Sequence, residues 1–184
     1  MTNSSRRNLI MLMISLDRRG KIDGRGLGGM IRLQKLLYLF ETEASKIEDG
    51  FDFFPYKTGP CSSKLYDDLE FLENLSFLKG EVVAEATEEE AIEIDLLSFE
   101  NLLGDGAETD DGKPVDGFGA ADAYEERRFS LTEEGLETVK KLLARDDYAA
   151  TVQCVRKIKA KYGHHSLNDL LRYVYTNYPG MTVA

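Results

Sequence analysis

The chain begins with a run that is apolar almost all round, Leu9-Ile-Met-Leu-Met-Ile-Ser-Leu16. A helix without a polar face belongs inside a core. The run therefore predicts a first helix from Ser5 to about Arg18, closed by Gly20 and central to the packing. The glycine-rich stretch from Lys21 to Gly29 reads as a loop. A second helix is predicted from about Met30 to Lys46. Ile31, Leu33, Leu36, Leu37, Leu39 and Phe40 give it a wide apolar face, and Glu41, Glu43 and Lys46 mark its wet end. Phe51-Asp-Phe-Phe-Pro-Tyr56 is extended and aromatic, suited to cover the core or to pair as a short strand. Ser62 or Ser63 caps a third helix by accepting a backbone N–H. Its expected buried stripe combines Leu65, Leu69 and Leu72 with Phe71, Leu75 and Leu78, before Gly80 ends it.

Past Gly80 the period shortens. Residues 81–86 and 127–131 read as the two sides of a hairpin, with a long insertion at its tip. Within the insertion, Ile92, Leu96, Phe99 and Leu103 recur at helical spacing, and 104–119 is loop-like. Thr132 caps a fourth helix, Glu133 to about Arg145, with Glu133 and Glu134 placed to complement the helix dipole. A fifth helix runs from about Ala149 to Tyr162 and stops at Gly163. Ser166-Leu-Asn-Asp169 forms a capping box for a sixth, which carries Leu167, Leu170, Leu171, Val174 and Tyr175 and ends at Pro179-Gly180. The predicted fold is α+β and mostly α, a winged-helix-like core of three helices plus a β-hairpin wing, followed by C-terminal helices. One domain spans 1–184: a helical core (1–80), the wing with its insertion (81–131) and the C-terminal helices (132–184). The 184 residues suffice for a core without disulfide or metal staples.

Charge sharpens this picture. The formal net charge is −10, but residues 81–126 hold sixteen Asp or Glu against one Lys, leaving +5 on the rest of the chain. The acidity thus belongs to one segment. Two cysteines, Cys61 and Cys154, are neither a disulfide framework nor a metal pair, which fits a reducing compartment. Arg6 and Arg7 before the first apolar run resemble the start of a signal peptide, but Asp17, Arg18 and Arg19 follow at once with no cleavage site. Eight apolar residues are also too few to span a bilayer. The expectation is a cytoplasmic protein with no membrane association.

Three stretches carry a family resemblance. Arg32-Leu-Gln-Lys-Leu-Leu-Tyr-Leu39 resembles the Lys-Leu-Gln-Lys-Leu-Leu-Tyr-Phe helix of the Panacea family, the domain of SocA-type antitoxins. Tyr56-Lys-Thr-Gly-Pro60 is similar to that family's Trp-Lys-Tyr-Gly-Pro turn. Lys161-Tyr-Gly-His-His-Ser166 and the helix leading to Tyr178-Pro179 resemble its closing elements, the Tyr-Pro ending being nearest to its YwgA-like relatives. The chain departs from the pattern in having no Trp and in placing Thr58 where Tyr is common. The resemblance implies a module that binds and neutralises a toxin protein, in some members by delivering it to a protease.

The residues themselves argue against several chemistries. Gly24-Arg-Gly-Leu-Gly-Gly29 matches a dinucleotide-binding spacing but lacks the hydrophobic strand that such a turn needs before it. His164 and His165 are adjacent, point apart and have no partner at ligand spacing, so no metal and no cofactor is expected. Cys61 at a helix start has no base beside it in sequence other than those histidines. No catalysis is expected. The third helix, from Cys61 to Lys79, sets Lys64 and Lys79 against Asp67, Asp68, Glu70 and Glu73. Its net −2 would repel phosphates where a winged-helix reader must approach them. The leading expectation is therefore a protein-binding module, antitoxin-like or adaptor-like. It would meet a basic partner through Tyr56, Tyr66, Asp67, Asp68, Glu70 and the acidic segment. The alternative is a winged-helix DNA-binding regulator, dimeric as a homodimer, contacting nucleic acid through Arg6, Arg7, Arg18, Arg19 and Lys64.

Overall fold

In the computed structural model, residues 5–82 and 127–183 are described. The predicted helix within 91–103, the loop 104–119 and the rest of the acidic insertion lie outside the described residues. The described part is α+β and mostly helical: helices surround a small antiparallel sheet.

Helix α1, Arg6–Ser15, starts at Ser5, whose hydroxyl accepts the Asn8 N–H. Every residue from Leu9 to Ser15 is buried, as its all-round apolar pattern requires. Each Leu or Ile enclosed there contributes roughly 1.5–3 kcal/mol. The helix packs against α2 (Met30–Leu39), α3 (Ser63–Asn74), α4 (Glu133–Leu143), α5 (Ala149–Tyr162) and strand β3 (Arg127–Leu131), and so forms the hub of the core. It ends three residues earlier than predicted, because Asp17 builds a turn. Its carboxylate accepts the N–H groups of Arg19 and Lys21, both at 2.8 Å, and Gly20 closes the turn at φ +75°.

The predicted loop 21–29 contains a two-residue strand, β1 (Leu27–Gly28), that the sequence pattern did not reveal. It pairs with strand β3, Arg127–Leu131 (Leu27 opposite Phe129), which in turn pairs with β2, Leu78–Val82. The sheet order is β1-β3-β2. Gly26, at φ +70°, lies against the Phe129 carbonyl so closely that a side chain there would collide with it.

Helix α2, Met30–Leu39, continues into one π turn, Phe40–Ala44, rather than running as α to Lys46. Helix α3, Ser63–Asn74, is capped by Ser62, whose hydroxyl accepts the Leu65 N–H and donates to the Phe51 carbonyl at 2.6 Å. It stops at Asn74, and Ser76 turns the chain at φ +60°. Leu78 is therefore buried from strand β2, not from the helix, and Phe71 and Leu75 are exposed instead of buried. The aromatic stretch 51–56 does both things expected of it. Phe51 is buried, while Phe54 bridges to Cys61 and Tyr56 to Thr182.

Helices α4 (Glu133–Leu143), α5 (Ala149–Tyr162) and α6 (Leu167–Asn177) follow closely the predicted places. Thr132 and Ser166 cap α4 and α6 through their hydroxyls. Among the described residues no helix is long and apolar enough to cross a membrane.

Candidate functional site

The five residues expected to meet a protein partner divide. Asp67 and Glu70 stand exposed on the outward face of α3. Tyr66 is half-buried, and its hydroxyl accepts a hydrogen bond from Gln34 Nε2 at 3.2 Å. Tyr56 sits apart, on the segment before the helix, bridged to Thr182. Asp68 points inward and is 2% exposed, so it offers a partner nothing. Its two oxygens accept from Arg6 Nε at 2.7 Å and Arg7 Nε at 2.9 Å. Spacing explains this: Asp68 lies three residues after Leu65 and one before Leu69, within the buried stripe.

The residues expected to meet nucleic acid divide as well. Arg6 is held by Asp68 and Asp49, Arg7 by Asp68, and Lys64 by Asp49 (3.2 Å) and Asp52 (2.6 Å). Arg18 and Arg19 lie beyond the other end of α1, about 15 Å away along the helix, where they line a hollow. The basic residues read together from the sequence thus form two groups, one neutralised by its own carboxylates.

Sequence reasoning missed the apolar part of the α3 face. Phe71 is 39% and Leu75 48% exposed, beside Asp67, Glu70 and Asn74. The signal was present: Leu65, Leu69 and Leu72 already make a complete stripe, and Phe71 and Leu75 fall to one side of it. The Arg7 guanidinium lies over the Phe71 ring, 3.6 Å from its centroid. Glu73 receives Arg127 Nη2 at 3.0 Å, which ties the helix to β3.

Two further clusters hold the helices beneath this face. Lys35, on the inner side of α2, is fully buried. Its ammonium donates to the Pro60 carbonyl at 3.0 Å. Burial pulls its pKa down to about 7, opposed by the nearby Cys61 sulfur. Gly59 (φ +86°) lies under Lys35 and Tyr175, and a Cβ at Gly59 would sit 3.3 Å from each side chain. Sealed in this way, the amine anchors the 59–60 turn and cannot reach a solute. Burial likewise raises the Cys61 thiol, away from the reactive thiolate. Both cysteines are free thiols.

The second cluster forms at the wet end of the segment, where Glu43 is exposed as a residue but its side chain is largely covered by partners. The π turn, Phe40–Ala44, carries Glu43 towards the ends of α5 and α6. There it accepts from the hydroxyls of Tyr162 (2.6 Å), Tyr178 (2.8 Å) and Tyr173 (2.9 Å), and from Lys161 Nζ (2.9 Å). Burial alone would raise its pKa, but these four donors outweigh burial and hold it at about 2. The Tyr162 and Tyr178 hydroxyls are correspondingly pushed up by burial and by the carboxylate they serve. Glu41, on the same turn, accepts the Phe51 N–H at 2.9 Å.

These contacts join the three stretches singled out in the sequence. Lys35 meets Pro60, Arg32 Nη1 donates to the His165 carbonyl at 2.8 Å, and Glu43 gathers Lys161, Tyr162 and Tyr178. Among the described residues, no group of three or more His, Cys, Asp or Glu is placed to hold a metal ion. The Gly24–Gly29 stretch follows an isolated bridge between Leu16 and Ile22 rather than a sheet strand. Compared with models of known protein families and with curated proteins, the sequence matches none.

Proposed function

We propose that the chain is a protein-binding module that docks a partner across the outward face of α3. The observation that carries this reading is the exposure of Phe71, stacked under the Arg7 guanidinium, and of Leu75, bordered by Asp67, Glu70 and Asn74. An apolar centre with a charged rim is the composition of a docking patch, and its acidic rim selects a partner segment that combines basic and apolar side chains. The element order α1-β1-α2-α3-β2-β3 with sheet order β1-β3-β2 supports a winged-helix core in which α3 holds the place of a recognition helix. The resemblance of the 32–39, 56–60 and 161–166 stretches to the Panacea family supports an antitoxin-like or adaptor-like role.

The test is affinity capture with the wild type beside two variants, Phe71→Ser with Leu75→Ser, and Asp67→Lys with Glu70→Lys. All four side chains are exposed, so both variants keep the wild-type circular dichroism. The expected result is a protein retained by the wild type and released by both variants. Recovery of the same proteins from all three would overturn the reading.

A second reading, a dimeric DNA-binding regulator, draws on the same element order and on Arg18 and Arg19, which are not spent on carboxylates among the described residues. It is the weaker one, because the outward side of α3 stays acidic. It requires duplex binding that weakens steeply with salt and is lost in Arg18→Gln with Arg19→Gln; fluorescence anisotropy at low salt decides it.

A further inference from the structure

Beyond the C-terminal end of α1, opposite the end that holds Arg6, lies a hollow of about 590 Å³. Arg18 and Arg19 line it from the turn after α1, Arg25 from the next loop, Arg128 from β3, and Lys159 and His164 from the end of α5. Five permanent or near-permanent cations thus face two carboxylates, Asp17 and Asp23. Both carboxylates are already used: Asp17 accepts the Arg19 and Lys21 N–H groups, and Asp23 takes Arg25 Nη2 at 2.8 Å. Arg128 donates to the Arg25 carbonyl at 3.1 Å, which fixes the rim. Arg18, Arg19, Arg128 and Lys159 form no ion pair among the described residues.

Lys159 decides what the hollow is for. Its stem is enclosed, so the residue is only 8% exposed, while its ammonium forms no hydrogen bond among the described residues and is not one of the sealed polar atoms: it opens on the hollow. Burial draws its pKa down to about 8, partly offset by Asp23, so it remains mostly charged near neutrality. Four cations without carboxylates around one space call for a multiply charged anion. A single carboxylate brings one charge, whereas a phosphate ester or diphosphate brings two or three and suits guanidinium geometry. The volume exceeds what inorganic phosphate fills and falls within the range of small-molecule sites. A nucleic-acid backbone would meet the rim arginines but would not bring a phosphate down to Lys159.

We propose that this hollow binds a small phosphate-bearing molecule larger than inorganic phosphate. Its phosphate meets the Lys159 ammonium at the floor, and the rest lies along Arg18, Arg19 and Arg128.

The test is calorimetric titration of the full chain with ADP, with inorganic phosphate and with a short DNA duplex. Wild type is compared with Lys159→Met and Arg128→Gln. Lys159→Met removes an unpartnered charge and should unfold no more readily than wild type. Arg128 is exposed, so Arg128→Gln gives a second readout independent of folding. ADP should bind saturably, more weakly as salt rises. Each variant should lose at least about tenfold in affinity, the scale of one charge-assisted hydrogen bond. Inorganic phosphate should compete, but at higher concentration. The proposal falls if ADP does not saturate at millimolar levels, or if both variants bind it as wild type does. It falls equally if the duplex binds and ADP fails to displace it, which would assign these arginines to a nucleic-acid backbone.

Discussion

Lys35 and Glu43 lie eight residues apart on one continuous helical segment; Lys35 is sealed from solvent while Glu43 is only partly covered, and the two are held on opposite terms. Lys35 is a cation with a single carbonyl partner and no carboxylate. Glu43 is an anion with four donors. One site is therefore titratable near neutrality, while the other keeps its charge far into acid. What a buried ionisable group does to stability is set by the number and sign of its partners rather than by depth alone.

The largest effect that would break this comparison is at Lys35. The folded-state pKa of about 7 lies below the ordinary 10.5, so between those values the unfolded chain holds a proton that the folded chain has released. Stability from this group is thus fully present above pH 10.5 and is lost as pH falls through 7. Relative to Lys35→Met, the wild type should gain on the order of 3 kcal/mol between pH 7 and 10, read from urea unfolding of both proteins. A flat difference would show that Lys35 is not enclosed as described.

Glu43 should behave in the opposite way. Its folded pKa of about 2 lies below the ordinary 4.5. Its contribution is present above pH 4.5 and lost as pH falls towards 2. Glu43→Gln should cost about 2 kcal/mol at pH 7, less than the full linkage of the shift because solvent screens this partly exposed cluster, a loss that shrinks as the wild type is acidified. The same unfolding measurements, made from pH 7 to 2.5, check it.

Smaller still is the cost of disturbing the turn that Lys35 anchors. Gly59→Ala puts a Cβ at a positive φ and 3.3 Å from two side chains. A destabilisation of about 1–2 kcal/mol should appear as a lower melting temperature. The smallest effect belongs to the α3 face. Phe71→Ser with Leu75→Ser should lower the unfolding free energy by about 1 kcal/mol, chiefly the lost Arg7 stacking, although it removes the proposed partner contact. A large loss there would mean that these side chains serve the core.

Local chemistry was legible in the sequence, and long-range chemistry was not. The all-apolar run gave α1, and the hydroxyls of Ser62, Thr132 and Ser166 gave three helix starts, since a cap is made within four residues. Strand β3 was read with its observed bounds. Strand β1 was hidden because two residues carry no period and exist only through pairing with Phe129 and Arg128. The end of α3 was misplaced because Phe71, Leu75 and Leu78 continue a helical spacing that the chain abandons at Ser76. For the candidate site, the exposure of Asp67 and Glu70 is legible from charge alone. Asp68 was misread because its partners, Arg6 and Arg7, lie about sixty residues away. The exposure of Glu43 is legible in the sequence, but its partners are not, for the same reason: its tyrosines come from α5, α6 and the turn beyond.

The pairing of Val82 with Arg127 at the open end of the hairpin has an engineering consequence. These two residues are cross-strand neighbours, about 5 Å apart, so a two-residue connector such as Asn-Gly can join them without moving the sheet. Residues 83–126 contribute fifteen carboxylates against Lys113, so excising them would take the formal charge of the protein from −10 to +4. The hairpin is thus a port at which the electrical sign of the whole molecule can be exchanged while its scaffold is retained.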